Sequence, residues 1–298
     1  MLSILLPSYN YNLFPLVKEL HQQLINENIP FEIVCMDDAS ELTFVENNLL
    51  VNLEHVSFHI LEKNIGRSAI RNKLAEKATY NWLLFLDADV FPKDSNFIKN
   101  YIAVILNNTQ NKTVYCGGII YNTEIESENI YLRWNVGRNG EQCLIEERIK
   151  NPFRKFFSAN FLIQKESFKE IKFNQYLNTY GYEDVIFASD LKINNFLIVH
   201  FQNYVYHLGI EFNADYLNKT KIAIESLLKY YQKGILNKEN VKLLIYYERI
   251  HKLKAVFLFS FIYKVIGKSV ENYLTKGKSK IVVFNFYKII YFCYLSSK

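Results

Sequence analysis

The sequence has 298 residues, half of them hydrophobic and 22% charged, and this composition excludes a disordered chain. Its net charge is +5 and is unevenly spread, which argues against a uniform nucleic-acid binder, and its ten glycines and five prolines exclude collagen-like and low-complexity classes. The four cysteines, Cys35, Cys116, Cys143 and Cys293, form no CxxC pair and predict reduced thiols in a cytoplasmic protein, rather than a disulfide framework or a zinc site.

The beginning of the chain carries no recognisable targeting signal. Its opening MLSILLPSYN lacks a basic region, and Pro7 ends the apolar run after six residues. Elsewhere, no apolar stretch reaches the roughly 18–20 residues that a membrane-spanning helix needs. We therefore expect a protein that is neither secreted by this route nor clearly transmembrane.

The first ninety residues alternate between apolar strands and helical stretches. Strands are predicted at residues 2–6, 30–40, 58–61 and 79–90, and helices at 14–25 and 66–79, where apolar residues recur at three-to-four spacing. This alternation predicts an α/β fold with a mostly parallel sheet covered on both faces. Further along, helical spacing from Leu217 onward places a domain boundary near residue 214, with a nucleotide-sugar half at 1–110 and an acceptor half at 111–214.

The tail from residue 215 differs from the rest in charge and in aromatic content. It holds 16 basic and 5 acidic residues, which leaves 19 basic and 25 acidic residues before it. Two Lys-flanked, Phe- and Tyr-rich segments, 255–267 and 281–295, are too short to span a bilayer but suit the interface of an anionic membrane. The alternative is a pair of helices that pack on the catalytic domain or on a second subunit, as in a homodimer.

Three of the predicted strands end in polar residues, which would meet at one edge of a parallel sheet. These ends are Pro7-Ser8-Tyr9-Asn10, Asp37-Asp38-Ala39-Ser40 and Asp87-Ala88-Asp89. The last places two carboxylates at i and i+2 directly after an apolar strand. Such hard oxygen ligands suit Mg²⁺ or Mn²⁺, which would then bind a substrate diphosphate.

Four stretches in this order, LLPSYN, VCMDDAS, NIGRSAIRN and LLFLDADV, resemble the nucleotide-sugar domain of the family 2 glycosyltransferases, over roughly residues 1–210. The resemblance implies a GT-A (Rossmann-like) nucleotide-diphospho-sugar transferase fold with a mostly parallel central sheet, here followed by the helical tail. It also implies a set of donor-binding residues: Pro7, Ser8, Tyr9, Asp37, Asp38, Asn64, Gly66, Arg67, Arg71, Asp87, Ala88, Asp89 and Gly117.

Within that set the resemblance implies particular roles. Asp37 or Asp38 would contact the nucleoside, Asp89 would ligate the divalent metal, and Asp87 would lie nearer the ribose or the sugar. Arg71 would lie near the diphosphate or the donor sugar, whereas Arg67 could equally belong to a solvated helix face. The Gly117-Gly118 pair could allow a close approach to the sugar or could form only a turn.

The second half supplies candidates for the acceptor side. In GYEDVIFASDL the resemblance makes Asp184 the catalytic base and gives Glu183 a role in binding acceptor or donor sugar. The alternative for this acid pair is a helix cap. His207, which follows an apolar run, resembles the His metal ligand of GT-A enzymes, although a lone His is usually a packed or surface residue.

The leading hypothesis is an inverting, metal-dependent glycosyltransferase that uses Mn²⁺ or Mg²⁺ and a nucleotide-sugar donor, with a UDP-sugar favoured, for hexosyl or N-acetylhexosaminyl transfer. The Lys-, Asn- and Tyr-rich composition indicates a bacterial source. Together with the tail, it favours synthesis of a surface polysaccharide or lipopolysaccharide on a glycan or lipid-linked acceptor. The enzyme would then be a peripheral protein at the inner face of the cytoplasmic membrane. The alternatives are a catalytically degenerate binding module and a sugar nucleotidyltransferase, although LLPSYNYNLF lacks the Gly-rich basic loop of the latter.

Overall fold

The computed structural model of the chain describes residues 1–176 and 180–298. The chain divides into two compact units. The first consists of Met1–Ile120, Gln142–Asn178 and Phe187–Gly209, and the second of Tyr121–Glu141, Thr179–Ile186 and Ile210–Lys298. The second unit therefore takes in two segments that precede the domain boundary predicted near residue 214.

Among the described residues, the first unit contains ten strands: β1 (Leu2–Ser8), β2 (Phe31–Asp37), β3 (Val56–Ile60), β4 (Trp82–Leu86), β5 (Val90–Pro92), β6 (Thr113–Cys116), β7 (Ile119–Ile120), β8 (Asn160–Gln164), β9 (Leu197–His200) and β10 (Val205–His207). Seven of them form a sheet in the order β3-β2-β1-β4-β8-β6-β9, in which only β8 runs antiparallel to its neighbours. A smaller sheet has the order β5-β10-β7. The predicted α/β fold with a mostly parallel central sheet is confirmed.

The helices in chain order are α1 (Phe14–Ile25), α2 (Arg67–Lys77), α3 (Phe97–Leu106), α4 (Tyr131–Val136), α5 (Ile145–Lys150), α6 (Lys165–Glu170), α7 (Glu183–Ile193), α8 (Asn213–Gln232), α9 (Lys242–Lys252), α10 (Val256–Thr275) and α11 (Ile281–Ser296). Among these, α1 shows how sequence sets the ends and the buried face. Proline stands in its first turn, where no intrahelical N–H is needed, and Leu16, Val17, Leu20 and Leu24 line its buried side.

The core of the first unit explains much of the high phenylalanine content. Phe85 on β4 stacks on Phe161 of β8 with ring centroids 4.7 Å apart, and Phe173 stacks on Phe187 of α7 at 4.1 Å. These four rings and Phe168 are all essentially buried. Offset-stacked and edge-on rings add to the area-dependent stabilisation, so this cluster fixes β4 and the polar residues that follow it.

The second unit is built largely from the four helices of the tail. Seven of the sixteen residues of α11 are buried, including Tyr287 and Phe292. The hydroxyl of Tyr287 donates to Glu271 of α10 at 2.8 Å, and Lys221 of α8 lies 2.7 Å from the same carboxylate. Across the described residues, the structure contains no helix that is both long and apolar enough to cross a membrane.

Candidate functional site

The carboxyl ends of β1, β2 and β4 meet at one edge of the central sheet. β1 lies between the other two and runs parallel to both, with Ser8 opposite Asp37 and Leu5 opposite Phe85. Because parallel strands end at the same edge, the chain brings the three predicted polar strand ends together. Asp87 follows β4 directly and donates its backbone N–H to the carbonyl oxygen of Ala159 at 3.3 Å.

The two acids after β2 are both held by groups of the first unit. Asp37 accepts from the N–H and the hydroxyl of Ser40, at 2.7 and 2.6 Å. Asp38 accepts from the backbone N–H groups of Ile65 and Gly66, at 2.7 and 2.9 Å, and so ties β2 to the loop that begins α2. Burial raises the pKa of Asp38, and the two N–H donors act in the opposite direction. These contacts give both carboxylates a part in shaping the loops at this edge.

Arg71 and Asp87 form a buried ion pair beneath the same edge. The guanidinium of Arg71, only 2% exposed, donates from Nη2 to Asp87 and from Nη1 to the carbonyl of Arg67 at 3.0 Å. Arg67, on the exposed side, has Nη2 at 3.5 Å from the other Asp87 oxygen. Burial alone would raise the pKa of Asp87, but the charges of Arg71 and Arg67 hold it below its ordinary value. Asp87 is therefore an ionised partner of two arginines.

Asp89 lies instead beside His207. β5 pairs antiparallel with β10, which sets His207 opposite Val90, and the backbone N–H of Leu208 donates to the carbonyl of Asp89 at 2.8 Å. This pairing leaves Oδ2 of Asp89 3.6 Å from Nε2 of His207. The Asp89 side chain is 30% exposed, so its carboxylate is accessible from solvent.

Gly209 makes this position of Asp89 sterically feasible. A Cβ atom at residue 209 would lie 2.2 Å from Oδ2 of Asp89 and 2.7 Å from its Cβ, well inside van der Waals contact. Any larger residue would therefore displace the carboxylate or the strand that carries it.

One carboxylate oxygen and one imidazole nitrogen at 3.6 Å fit a shared divalent cation. Two ligands at about 2.1–2.3 Å from one metal lie roughly 3–3.5 Å apart, so little movement is required. Within residues 1–176 and 180–298, however, no group of three or more His, Cys, Asp or Glu side chains forms a ready ligand set. Asp87 faces Arg71 and Arg67, and its role as a metal ligand stays a prediction.

The remaining donor-binding candidates lie around the same strand ends. Ser8 is buried, Pro7 and Ala88 are half-buried, and Tyr9 is exposed. Asn64 is exposed and its side-chain oxygen accepts from the N–H of Gly66 at 3.1 Å, just before α2 begins at Arg67.

Gly117 lies in a packed environment within the first unit. A Cβ there would overlap the carbonyl of Asn203, the amide of Asn160 and the hydroxyl of Tyr101. The close approach that Gly117 allows in this structure is thus to neighbouring protein atoms, and contact with the donor sugar stays a prediction.

Glu183 and Asp184 belong to the second unit, where they form the first turn of α7. They follow Gly181 and Tyr182, whose φ angles of 95° and 71° are in the left-handed region. Both acids are half-buried, and their position at the helix start also benefits from the positive end of the helix dipole. Catalysis and capping are compatible with this placement.

Sequence reasoning missed three groups of the first unit. Burial raises the pKa of Tyr11, and the charge of Asp89 adds to this effect; the backbone carbonyl of Tyr11 also accepts from the hydroxyl of Ser8 at 3.4 Å. Gly209 follows His207 by two residues, which is the only signal that the sequence offered for it. Arg148 is buried and donates to the carbonyls of Cys116, Gly117 and Phe201, an arrangement with no local sequence pattern.

A mostly parallel α/β sheet with acids at its carboxyl edge is the architecture of the GT-A class of glycosyltransferases. The family model described as Glycosyl transferase family 2 matches residues 3–172, more than half of the sequence. The chain therefore belongs to glycosyl transferase family 2. No curated protein matches the sequence significantly.

Solved structures share the fold at low sequence identity. A structure of S. aureus TarS residues 1–349 matches with a TM-score of 0.50 and 18% identity, covering 100% of this chain and 92% of that one. The mannosyltransferase PcManGT from Pyrobaculum calidifontis, in complex with GDP-Man and Mn²⁺, matches with a TM-score of 0.58 and 11% identity, over 99% of this chain and 85% of that one. The chain spans only 43% of the length of a longer TarS structure. These likenesses show the fold alone.

Proposed function

We propose that this chain transfers a hexosyl or N-acetylhexosaminyl group, with inversion, from a nucleotide-diphosphate donor to a hydroxyl of a glycan or lipid-linked acceptor. The observation that carries the proposal is the pairing of Asp89 with His207 at the carboxyl edge of the sheet, in a member of a glycosyl transferase family. A UDP-sugar is favoured, in keeping with the TarS 1–349 structure in complex with UDP-GlcNAc, and a GDP-sugar is the second choice, in keeping with the mannosyltransferase.

On the donor side, Asp89 and His207 would hold Mn²⁺ or Mg²⁺, as the mannosyltransferase complex with Mn²⁺ supports. When bound, the cation supplies positive charge that neutralises the leaving diphosphate. Ser8, Asp37 and Asp38 shape the neighbouring edge, where a nucleoside would bind. Arg67 is the exposed member of the arginine pair and can also approach a phosphate oxygen.

On the acceptor side, Asp184 would accept the proton of the attacking hydroxyl, while Glu183 would bind acceptor or donor sugar. A carboxylate in this role increases the nucleophilicity of the hydroxyl as its oxygen bonds to the anomeric carbon and the diphosphate departs. The support is the family membership of the chain and the position of this acid pair at the beginning of α7.

The two parts of the sequence would have different roles in the cell. Residues 1–214 would form the catalytic domain and residues 215–298 a basic tail. The four cysteines are free thiols, which suits a reducing cytoplasm, and the tail favours a location at the inner face of the cytoplasmic membrane. Synthesis of a bacterial surface polysaccharide or lipopolysaccharide would use such an enzyme.

A nucleotide-release screen tests the proposal. The full chain is incubated with UDP-, GDP- and dTDP-sugars and Mn²⁺ or Mg²⁺, with chelator and Asp89→Ala as controls. We expect release of one nucleoside diphosphate that is stimulated by a glycan or lipid-linked acceptor and lost in both controls. Pyrophosphate formation from a nucleoside triphosphate and a sugar 1-phosphate would instead show a nucleotidyltransferase. Tight donor binding without turnover for any acceptor would show a binding module.

A further inference from the structure

One face of α10 exposes large apolar side chains to solvent. Phe257, Leu258, Phe261 and Val265 are 77%, 59%, 61% and 63% exposed. At 100° per residue they lie within about one third of the helix circumference and cover its first three turns. We call these four residues the α10 face. Four adjacent exposed apolar side chains on one helix form a patch, which soluble surfaces rarely carry without a partner.

The opposite side of α10 is already used for packing within the second unit. Ser260, Gly267, Glu271 and Leu274 are buried there, and the carboxylate of Glu271 contacts Tyr287 and Lys221. The helix is thus held in place by its inner side, and most of the surface of the α10 face is left outside that packing. Its apolar character is therefore not explained by folding of the unit.

The charges that border the α10 face are mainly positive, although two of the lysines contact acids of the second unit: Lys268 lies 3.8 Å from Glu271, and Lys278 lies 3.5 Å from Glu128. Residues 252–280 contain one acid, Glu271, which is buried, and seven lysines that are all exposed: Lys252, Lys254, Lys264, Lys268, Lys276, Lys278 and Lys280. Lys254 precedes the face, while Lys264 and Lys268 lie beside it and just beyond it on the same side of the helix. Apolar rings bordered by lysines are the pattern of a helix that lies in the interface of an anionic bilayer.

We propose that the α10 face docks the protein on an anionic membrane surface, with α10 lying parallel to the membrane plane. The phenylalanines would enter the headgroup–acyl boundary, and the lysines would reach the phosphates of anionic lipids. The predicted segment 281–295 does not share this role, because the apolar residues of α11 are largely buried in the unit. The docking surface thus belongs to α10.

A second copy of the chain is a poorer occupant of the same face. In a two-fold symmetric contact the α10 face of one copy meets the same face of the other, and the lysines that border the face in both copies are brought into one interface. Such like-charge contacts oppose association unless acids compensate, and Glu271, the only acid in residues 252–280, is buried and already contacts Lys221 and Lys268. An anionic lipid surface provides the missing negative charge.

Vesicle sedimentation with the full chain tests the proposal through the apolar residues. We compare the wild type, Phe257→Ser/Phe261→Ser and the matched control Val45→Ser/Leu106→Ser, whose side chains are comparably exposed but lie in the first unit. Vesicles contain either a phosphatidylcholine–phosphatidylglycerol mixture or phosphatidylcholine alone. We expect the α10 variant to lose roughly 100-fold in partitioning to the anionic vesicles, about tenfold per ring, and the control to remain near wild type.

A second pair of variants tests the charge. Lys264→Gln/Lys268→Gln should lower partitioning by roughly 30-fold at low salt, with the difference shrinking as salt rises. The matched control Lys18→Gln/Lys99→Gln, on exposed lysines of the first unit, makes the same change in net charge. Nucleotide release from the donor should be unchanged in all variants, which separates this proposal from the proposed function.

Two results would overturn the proposal. One is that the wild type does not bind anionic vesicles at low salt, or that its binding is unaffected by Phe257→Ser/Phe261→Ser. The other is a wild-type dimer, measured by sedimentation velocity, that the same double variant converts to a monomer, because the α10 face would then be a subunit interface.

Discussion

Gly209→Ala is the sharpest test of how Asp89 is positioned. The added methyl carbon would lie 2.2 Å from Oδ2, 2.7 Å from Cβ and 2.8 Å from Cγ of Asp89. Because Cβ and Cγ are involved, rotation of the carboxylate alone cannot relieve the overlap. The backbone of Asp89 is held by the N–H of Leu208 at 2.8 Å, so the side chain must leave its position or β5 must separate from β10.

The expected size of the effect follows from the role of Gly209, which would position the metal ligand Asp89 without contacting the metal itself. Groups that position a metal ligand without contacting the metal typically contribute 10–100-fold to metal affinity, and we expect a loss of about that size in Mn²⁺-dependent binding of a nucleoside diphosphate. Binding that persists in chelator should not change, because Gly209 acts only through Asp89.

Isothermal titration calorimetry with UDP and GDP, in Mn²⁺ and in chelator, measures both quantities. Gly140→Ala is the matched control, since a Cβ there has no neighbour within 4 Å. Both variants should unfold within a few degrees of the wild type. If Gly209→Ala binds the nucleotide within twofold of wild type while Asp89→Ala does not bind, the proposed steric coupling is wrong.

Three further predictions concern chemistry and stability. Asp89→Ala should keep the fold but abolish metal-dependent nucleotide binding, and full-strength binding in chelator by calorimetry would contradict this. Asp184→Asn should bind donor nearly as wild type while transfer falls by roughly 10²–10⁴, and turnover within a few-fold of wild type would place the base elsewhere. Burial lowers the pKa of His200 to about 4, with Arg148 acting in the same direction, so the stability that His200 contributes above about pH 6.5 is lost as the pH falls toward 4. In urea titrations, the free energy of unfolding of the wild type should therefore fall by roughly 2 kcal/mol more than that of His200→Gln between pH 7 and pH 4. An equal fall in both proteins would show that protonation of His200 is not coupled to folding.

The parts of the fold that the sequence predicted are those fixed by local patterns. β4 is an uninterrupted apolar run and β1 is interrupted only by Ser3 before it ends in polar residues, and the burial of both strands follows from that composition. The strand ends could also be predicted to share an edge, because parallel strands leave no other arrangement.

The contacts that complete the site depend on pairings between distant segments. β5 and β10 have three residues each, too few to give a pattern, yet their pairing brings His207 beside Asp89. The contact of Asp38 with the N–H groups of Ile65 and Gly66 similarly joins two loops that no local spacing relates.

The tail also shows that a sequence pattern does not determine which side chains are buried. Segments 255–267 and 281–295 are alike in composition, and the sequence left the same two alternatives open for both, a membrane interface or helix packing. The difference between α10 and α11 lies in which side chains other helices cover. Tyr287 and Phe292 are enclosed, whereas Phe257 and Phe261 are exposed. Burial of this kind is a property of tertiary packing and cannot be read from hydrophobicity alone.

The two acids of the Asp87-Ala88-Asp89 stretch should also differ in what they contribute to stability. Asp87 neutralises Arg71, which is 2% exposed, whereas Asp89 faces His207 and solvent. Asp87→Asn would leave a buried guanidinium without its carboxylate. We expect a loss of roughly 3 kcal/mol, the lower end for a buried pair, because the Asp87 side chain is 15% exposed to solvent.

Asp89→Asn removes no partner of a buried cation, so its free energy of unfolding should stay within about 1 kcal/mol of wild type. Both variants keep the size of the side chain, so a difference between them reports charge rather than packing. Urea denaturation at pH 7 without metal measures the two free energies directly. Equal destabilisation would mean that Arg71 finds another partner, and loss of activity in an Asp87 variant could then be attributed to the donor site. If instead Asp87→Asn is the more destabilising, a loss of activity in an Asp87 variant reflects at least in part the removal of the carboxylate that holds Arg71 and the beginning of α2.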